Sequence, residues 1–246
     1  MSRPVRVAVI SDVHGNLHAL EATLSAIDEE SPDEIWCLGD LVGYGPRPNE
    51  CCELVRERAS VCLAGNHDLA VIGTLDLDEF SDEAASAAAW SRTVLDDAAR
   101  SYLEPLEPSG RAAGVALYHG SARDPIWEYI LSDEAAFATL ARTGEQIVLV
   151  GHSHIALQVS LRGETLDGGV APGGTLLPLA DARWLLNPGS VGQPRDGDPR
   201  AAFLVLDFEG HWARFARVEY DVARTQAEMR EAGVPELLAL RLAFGQ

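Results

Sequence analysis

The chain of 246 residues contains no lysine, so all 19 basic side chains are arginine against 38 Asp and Glu, a formal net charge of −19. No run of basic residues reverses that field, which disfavours long nucleic acid and anionic membrane surfaces as partners. Long hydrophobic runs are missing as well. The opening MSRPVRVAVISDVHG turns polar after a few apolar residues, too short for a signal core and far too short to cross a bilayer. Cysteine is scarce and badly spaced for chemistry. Cys37, Cys51, Cys52 and Cys62 form no C-x-x-C pair, so reduced, mostly buried thiols and a cytoplasmic setting are expected. What remains is an ordinary globular composition, 47% hydrophobic and 23% charged, in a chain long enough for one large α/β domain with a substantial core.

Strand-like and helix-like segments alternate through the first half. Residues 4–11 read as a buried strand, 17–29 as an amphipathic helix capped by Asn16, 34–38 as a strand, 49–58 as a helix and 60–64 as a strand. This order predicts parallel strands joined by crossovers. From 69 to 110 the texture becomes acidic and alanine-rich, predicting a helical insertion of two helices with no strand, ended by Pro105 and Pro108. Strands follow at 114–119 and 146–151 around a helix at 133–142. The last third predicts strands at 156–161, 175–179, 184–187, 201–208 and 212–219, a hairpin turn at 209–212, and helix over 221–243 broken at Gly233-Val234-Pro235. A single domain over 1–246 is the economical expectation.

The chemistry lies in five short clusters, AVISDVHG, WCLGD, VCLAGNHD, ALYHG and IVLVGHSH, each a short apolar run ending at a glycine and a metal-friendly side chain. They supply Asp12, His14, Asp40, Asn66, His67, Asp68, His119, His152 and His154, and they account for five of the seven histidines; His18 and His211 fall outside. In an open α/β sheet, ligands collect at the carboxyl ends of strands, so these residues are expected to converge on one rim. Asp12 and His14, like His152 and His154, are one residue apart and in extended geometry point to the same side. Nitrogen and oxygen ligands without thiolate favour Mn, Fe, Zn, Co or Ni, and the imidazoles argue against Mg or Ca.

Asp12-Val13-His14, Gly39-Asp40, Gly65-Asn66-His67-Asp68, His119-Gly120 and Gly151-His152-Ser153-His154 resemble, in this order and over most of the chain, the calcineurin-like metallophosphoesterase superfamily. GDLVGYGP at 39–46 and NPGSVGQPRDGDPRAAF at 187–203 look like its small prokaryotic YfcE-like or MJ0936-like phosphodiesterase branch. The resemblance implies an α/β fold, a four-layer α-β-β-α sandwich with two mixed β-sheets and a dinuclear centre. It implies two divalent metal ions, Mn2+ being our choice, with Asp12, His14 and His154 on one, Asn66, His119 and His152 on the other, and Asp40 bridging. It further implies His67 as proton donor to the leaving group and Asp68 as its orienting partner. Two carboxylates among otherwise neutral ligands leave such a centre net positive, which suits a phosphate anion. Paired ions roughly 3.5–4 Å apart lower the pKa of a bridging water and stabilise in-line displacement.

The motif departs from the protein-phosphatase pattern Gly-Asp-x-x-Asp-Arg-Gly, because Gly43 and Tyr44 stand where the second Asp and the Arg would be. A protein-phosphatase role is therefore disfavoured, and Arg47, Arg92 and Arg195 are candidate substitutes for the phosphate contact. Trp90 and Arg92 are candidates to roof the site, and Gly189-Ser190-Val191-Gly192 for a phosphate-cradling turn. Three functions fit the pattern: hydrolysis of a small phosphodiester or phosphomonoester, nucleotide-like; cleavage of single-stranded nucleic acid, which the net charge opposes; and non-catalytic interaction on the same fold, which has no need of His67.

Overall fold

The computed structural model describes residues 4–246. In chain order its elements begin β1 (Arg6–Ile10), α1 (Leu17–Glu30), β2 (Glu34–Cys37), α2 (Pro48–Arg58), β3 (Val61–Cys62), α3 (Asn66–Ile72), α4 (Asp82–Val94), α5 (Asp97–Leu103), β4 (Ser109–Ala112) and β5 (Val115–Tyr118). They continue with α6 (Asp133–Arg142), β6 (Ile147–Leu149), β7 (Ala156–Arg162), β8 (Thr165–Val170), β9 (Leu176–Pro178), β10 (Arg183–Pro188), β11 (Ala201–Asp207), β12 (Trp212–Val218), α7 (Val222–Glu231) and α8 (Glu236–Arg241).

Alternation along β1 explains the layering. Val7 and Val9 pack into one apolar cluster while Ala8 and Ile10 pack into another, so the strand is buried on both faces and requires a layer on each side. The first cluster lies between the sheets, where Trp36, Leu38, Leu204 and Leu206 meet Leu117, Leu149 and Leu186. The second joins the outer face of the β1 sheet to α1, α2 and α5 through Ile10, Leu20, Leu24, Ile27, Val55, Leu103 and Phe203. A third cluster seats Ala136 and Leu140 of α6 on Val148, Leu157 and Leu185 of the other sheet. The result is the expected α/β, α-β-β-α sandwich of two mixed sheets. One runs β3-β2-β1-β11-β12-β9 and the other β4-β5-β6-β10-β7-β8. β1, β2 and β3 are parallel, as are β5, β6 and β10, with antiparallel strands completing each sheet.

Several boundaries depart from the sequence reading. The region 69–110 holds more than two helices: α3 starts earlier, at Asn66, and the segment ends in a strand, β4, paired antiparallel with β5. β4 (SGRA) lacks apolar alternation and forms because β5 offers it an edge. β8 (TLDGGV) likewise has no strand pattern of its own. It is almost wholly exposed and carries two glycines, yet it pairs with β7 along its length. β3 shrinks to two residues. The cap at Asn16 forms as expected, its side chain accepting from Ala19 N at 3.2 Å. The C-terminal helix breaks at Gly233, whose φ of +74° lies in the left-handed region. Among the described residues no helix is long and apolar enough to cross a membrane.

Candidate metal centre

The parallel strands of both sheets deliver their C-terminal ends to one rim. Asp12 and His14 follow β1, Asp40 follows β2, Asn66 opens α3 just after β3, His119 follows β5, and His152 and His154 follow β6. Ligand atoms of Asp12, His14, Asp40 and His154 lie within 4.8 Å of one another, and those of Asp40, His119 and His152 form a second group, so Asp40 belongs to both. Asn66 Oδ1 sits 3.2 Å from His119 Nε2 and joins the second group. All seven side chains are buried, none more than 3% exposed.

The local backbone differs from the expected extended geometry. Asp12, His14, Asp40, His152 and His154 have φ between +49° and +62°, in the left-handed region that non-glycine residues rarely occupy. Each such residue costs on the order of 1 kcal/mol, and five together at one rim mark a conformation held for function. An alternating left-handed pattern, not a strand, turns residues i and i+2 inward. The loops are locked from outside: His14 N donates to Asp40 O at 2.8 Å, Gly15 N to Leu41 O at 2.8 Å, and Gly192 N to Asp12 O at 2.9 Å.

Imidazole tautomers show that the cluster fits cations. His14 Nδ1 faces Val42 O at 3.0 Å, His119 Nδ1 faces Leu38 O at 2.9 Å, and His154 Nδ1 faces Gln193 O at 2.7 Å. A carbonyl only accepts, so each Nδ1 carries the proton and each Nε2 presents a lone pair. Yet His14 and His154 bring their Nε2 atoms to 3.0 Å, and His119 Nε2 faces the Asn66 amide oxygen. Lone pairs pointed at one another repel unless a cation sits among them. Asp12 Oδ2 and Asp40 Oδ2 are likewise buried without a hydrogen-bond partner. Burial pushes the Asp12 carboxyl up to about 7, and burial together with Asp68 holds Asp40 well above the usual range. Burial also holds His14, His152 and His154 well below the ordinary imidazole value, in the neutral form that ligates metal.

Asp68 does not orient His67. Its carboxylate accepts from the backbone N–H groups of Asp40, Leu41, Val42 and Gly65, at 2.8, 2.8, 3.2 and 2.9 Å, and so shapes the loop that presents Asp40. The His67 ring instead packs on Tyr44, with centroids 4.5 Å apart, on His14 at 4.8 Å and on Phe80 at 5.1 Å. Its Nδ1 is buried without a partner, and a Cβ at Gly43 would lie 2.5 Å from that nitrogen. Burial, then Arg195, pushes the ring down to about 3, so it is neutral before an anion arrives.

The three arginines part company. Arg47 Nε bonds Glu228 at 2.9 Å and its Nη1 bonds Glu50 at 3.1 Å, joining the start of α2 to α7. Arg92 donates to Ala70 O at 2.6 Å, tying α4 to α3, and Trp90 packs with α7 and α8. Only Arg195 lies at the centre. Its Nη2 donates to Tyr44 Oη at 3.2 Å and to Gln193 Oε1 at 2.9 Å, and its charge acts on Asp12, Asp40, His14, His67, His152 and His154. Next to it, Asp196 is held in a buried ion pair with Arg217 of β12.

The glycine turn 189–192 is not a phosphate cradle, because its donors are already used. Val191 N donates to Ser11 O at 3.0 Å, Gly192 N to Asp12 O, and Ser190 Oγ to Asp12 O at 2.7 Å. A Cβ on Gly192 would stand 1.9 Å from Val13 O. Gly192→Ala should therefore displace the Asp12–His14 turn, costing about 3 kcal/mol or roughly 6–12 °C of Tm. Thermal melts of the two proteins, with metal and with chelator, check this, and an unchanged Tm would remove the turn from the support of the centre.

Aromatic residues at the rim were not anticipated from sequence. Tyr44 stands out in the sequence only by occupying the position of the motif arginine, while Phe80, Trp127 and Tyr129 carry no motif. Trp127 and Tyr129 do fall in the stretch between two ligand clusters, after His119 and before His152, which is the one signal that marks them.

Comparison with known proteins gives the family and the fold. Residues 5–211 match the calcineurin-like phosphoesterase superfamily domain. A metallophosphoesterase from Sphaerobacter thermophilus superposes with a TM-score of 0.88 at 45% identity, covering 98% of this chain and 99% of that one. An uncharacterized protein of Methanocaldococcus jannaschii is 36% identical over 98% of both chains. A symmetrical bis(5'-nucleosyl)-tetraphosphatase from Actinobacillus pleuropneumoniae is 34% identical over 70 residues, 27% of this chain and 26% of that protein.

Proposed function

Because this chain belongs to the calcineurin-like phosphoesterase superfamily and is a hydrolase of phosphate esters, we propose that it cleaves a small nucleotide-like phosphodiester or phosphomonoester at a dinuclear centre. The observation that carries this reading is the convergence of unprotonated imidazole nitrogens and unpartnered carboxylate oxygens on two adjoining points that share Asp40. In our reading Asp12, His14 and His154 hold one divalent ion, Asn66, His119 and His152 the other, and Asp40 both. Two such ions supply the positive charge that orients a phosphoryl group and activates water, and Mn2+ is our choice for activity in vitro. The partial similarity to a bis(5'-nucleosyl)-tetraphosphatase supports a nucleotide among the possible substrates.

The remaining work falls to the chain's own groups. In this reading Arg195, steadied by Tyr44 and Gln193, donates to a phosphate oxygen, doing from the β10–β11 connection what the motif arginine does elsewhere. In the same reading His67 protonates the leaving oxygen. Burial and Arg195 hold its ring below the ordinary imidazole value in the metal-free protein, and a bound phosphate anion acts in the opposite sense, favouring the protonated ring. Gly43 leaves its Nδ1 free of a carboxylate.

The test is turnover of bis-p-nitrophenyl phosphate by chelator-treated protein reloaded with Mn, Fe, Zn, Co or Ni, with and without substitutions. Reloading should restore activity and Asp40→Ala or His119→Ala should abolish it; no turnover with any divalent ion overturns the reading. Arg195→Ala should lower kcat/KM by roughly 10- to 150-fold while metal content stays at the wild-type level, the loss of one charge-assisted hydrogen bond to the substrate. Unchanged kinetics would remove Arg195 from the substrate site.

A further inference from the structure

The centre is bordered on one side by aromatic faces that no step of hydrolysis uses. Tyr129 lies flat on the metal-site ring of His152, with centroids 4.1 Å apart and planes 7° off parallel, and the residue is nonetheless 44% exposed. One face of the phenol covers His152, and the residue keeps enough exposure for a second planar group to reach it. On the same loop the Trp127 ring meets Phe80 at 5.0 Å, and Phe80 in turn meets His67 at 5.1 Å. The rings therefore form a chain from His67 through Phe80 to Trp127.

The loop that carries them is firmly built. Gly120 N donates to Pro125 O at 2.8 Å, and Asp124 Oδ1 accepts from the backbone N–H groups of Ile126 and Trp127 at 3.0 Å each. Glu128, between the two aromatics, is held by Arg123 and Ser121. Trp127 O faces His152 Nε2 at 3.2 Å, so the loop is also tied to the centre. A platform fixed in advance loses little freedom when a planar group lands on it.

Charge argues for a neutral contact. On a chain with a net charge of −19, a phosphorylated ligand is repelled at long range, and Arg195 is the one cation directed at the centre among the three candidate arginines. Further affinity is best supplied by an uncharged part of the ligand, and stacking does that for any base because every base has a π face. We propose that Tyr129, with the Trp127–Phe80 pair beside it, forms a stacking subsite for the nucleobase of the phosphoester. The subsite rests on the phosphoesterase reading above and gives that site its substrate class: an ester in which a purine or pyrimidine nucleoside is joined to the phosphate.

AMP and ribose 5-phosphate differ only by the base and serve as probes. Each is titrated calorimetrically into Mn-loaded protein in its His67→Asn form, so that ligand is not consumed. AMP should bind about tenfold or more tightly than ribose 5-phosphate, the lower part of the range for stacking on an aromatic side chain. Adding Tyr129→Leu or Trp127→Leu, which keep apolar bulk but remove the π face, should bring AMP to within about twofold of ribose 5-phosphate. Ribose 5-phosphate binding and bound Mn should stay the same. A purely structural role for Tyr129 would instead weaken both ligands, or lower metal content, and would overturn the subsite. Equal binding of the two ligands before substitution, or binding of neither, also overturns it. The phosphoesterase reading is judged separately by turnover of bis-p-nitrophenyl phosphate, so the two can fail independently.

Discussion

Chelating divalent cations from the wild-type protein should lower its Tm by about 8–16 °C, and Asp40→Asn should remove most of that difference. The size follows from linkage: an ion at a thousandfold excess over its Kd stabilises by about 4 kcal/mol, and a protein of this length loses roughly 2–4 °C per kcal/mol. The substitution acts in two opposite senses. It keeps the side-chain oxygen that accepts from His67 N at 2.9 Å, but it removes a charge shared by both ligand groups. Metal affinity should fall more than about 100-fold, beyond what loss of a supporting residue costs. The metal-free variant, in contrast, should melt above the metal-free wild type, because burial and the neighbouring Asp68 both penalise the Asp40 carboxylate. Destabilisation of the metal-free variant would show that Asp40 is held by contacts other than a metal.

The same physics sets a pH dependence. In the metal-free protein Asp12 is raised from 3.8 to about 7, chiefly by burial. A carboxyl raised on folding favours the folded state fully below its unfolded value and loses that contribution as pH climbs through the folded value. The Asp12 contribution to the metal-free fold should therefore be lost between about pH 4 and pH 7, opposite in sense to that of the buried neutral imidazoles, while metal binding, which needs the ionised carboxylate and the neutral imidazoles, strengthens over the same range. The Tm gained by adding Mn should be larger at pH 8 than at pH 5.5; an equal or smaller gain at pH 8 would contradict the burial argument.

His67→Gln should leave metal content unchanged and lower kcat about 10²- to 10⁴-fold on a substrate with a poor leaving group, the usual contribution of a general acid. The loss should be far smaller on p-nitrophenyl esters, whose phenolate departs without a proton. That contrast separates acid catalysis from positioning. The ring packs on His14 and Tyr44, so a merely structural role would slow both substrates alike. Equal losses on the two substrates would assign His67 to packing.

Much of the candidate centre was legible because its proposed ligands are local events. Each cluster is a few residues long, ends a strand, and needs only parallel pairing to reach the rim. The helix over Leu17–Glu30 and its Asn16 cap were legible for the same reason, since apolar period and cap chemistry lie within one stretch of chain. Non-local features were hidden. β4 and β8 have no strand pattern of their own and form because a neighbour offers an edge. The fate of Asp68 depended on four backbone N–H groups, three of them 26–28 residues away. Arg47, Arg92 and Arg195 are equally plausible as letters. Their partners differ because α7 brings Glu228 to Arg47, α3 presents Ala70 O to Arg92, and Tyr44 stands beside Arg195.

The identities and order of Asp12, His14, Asp40, Asn66, His119, His152 and His154 therefore follow from the chain alone, because ligand chemistry is a property of residue type and spacing. Packing in three dimensions chose the left-handed backbone at Asp12, His14, Asp40, His152 and His154, the tautomers of His14, His119 and His154 that expose their lone pairs, the single arginine at the centre and the aromatic rim. Those depend on hydrogen bonds and ring contacts between segments far apart in sequence, and no local pattern encodes them.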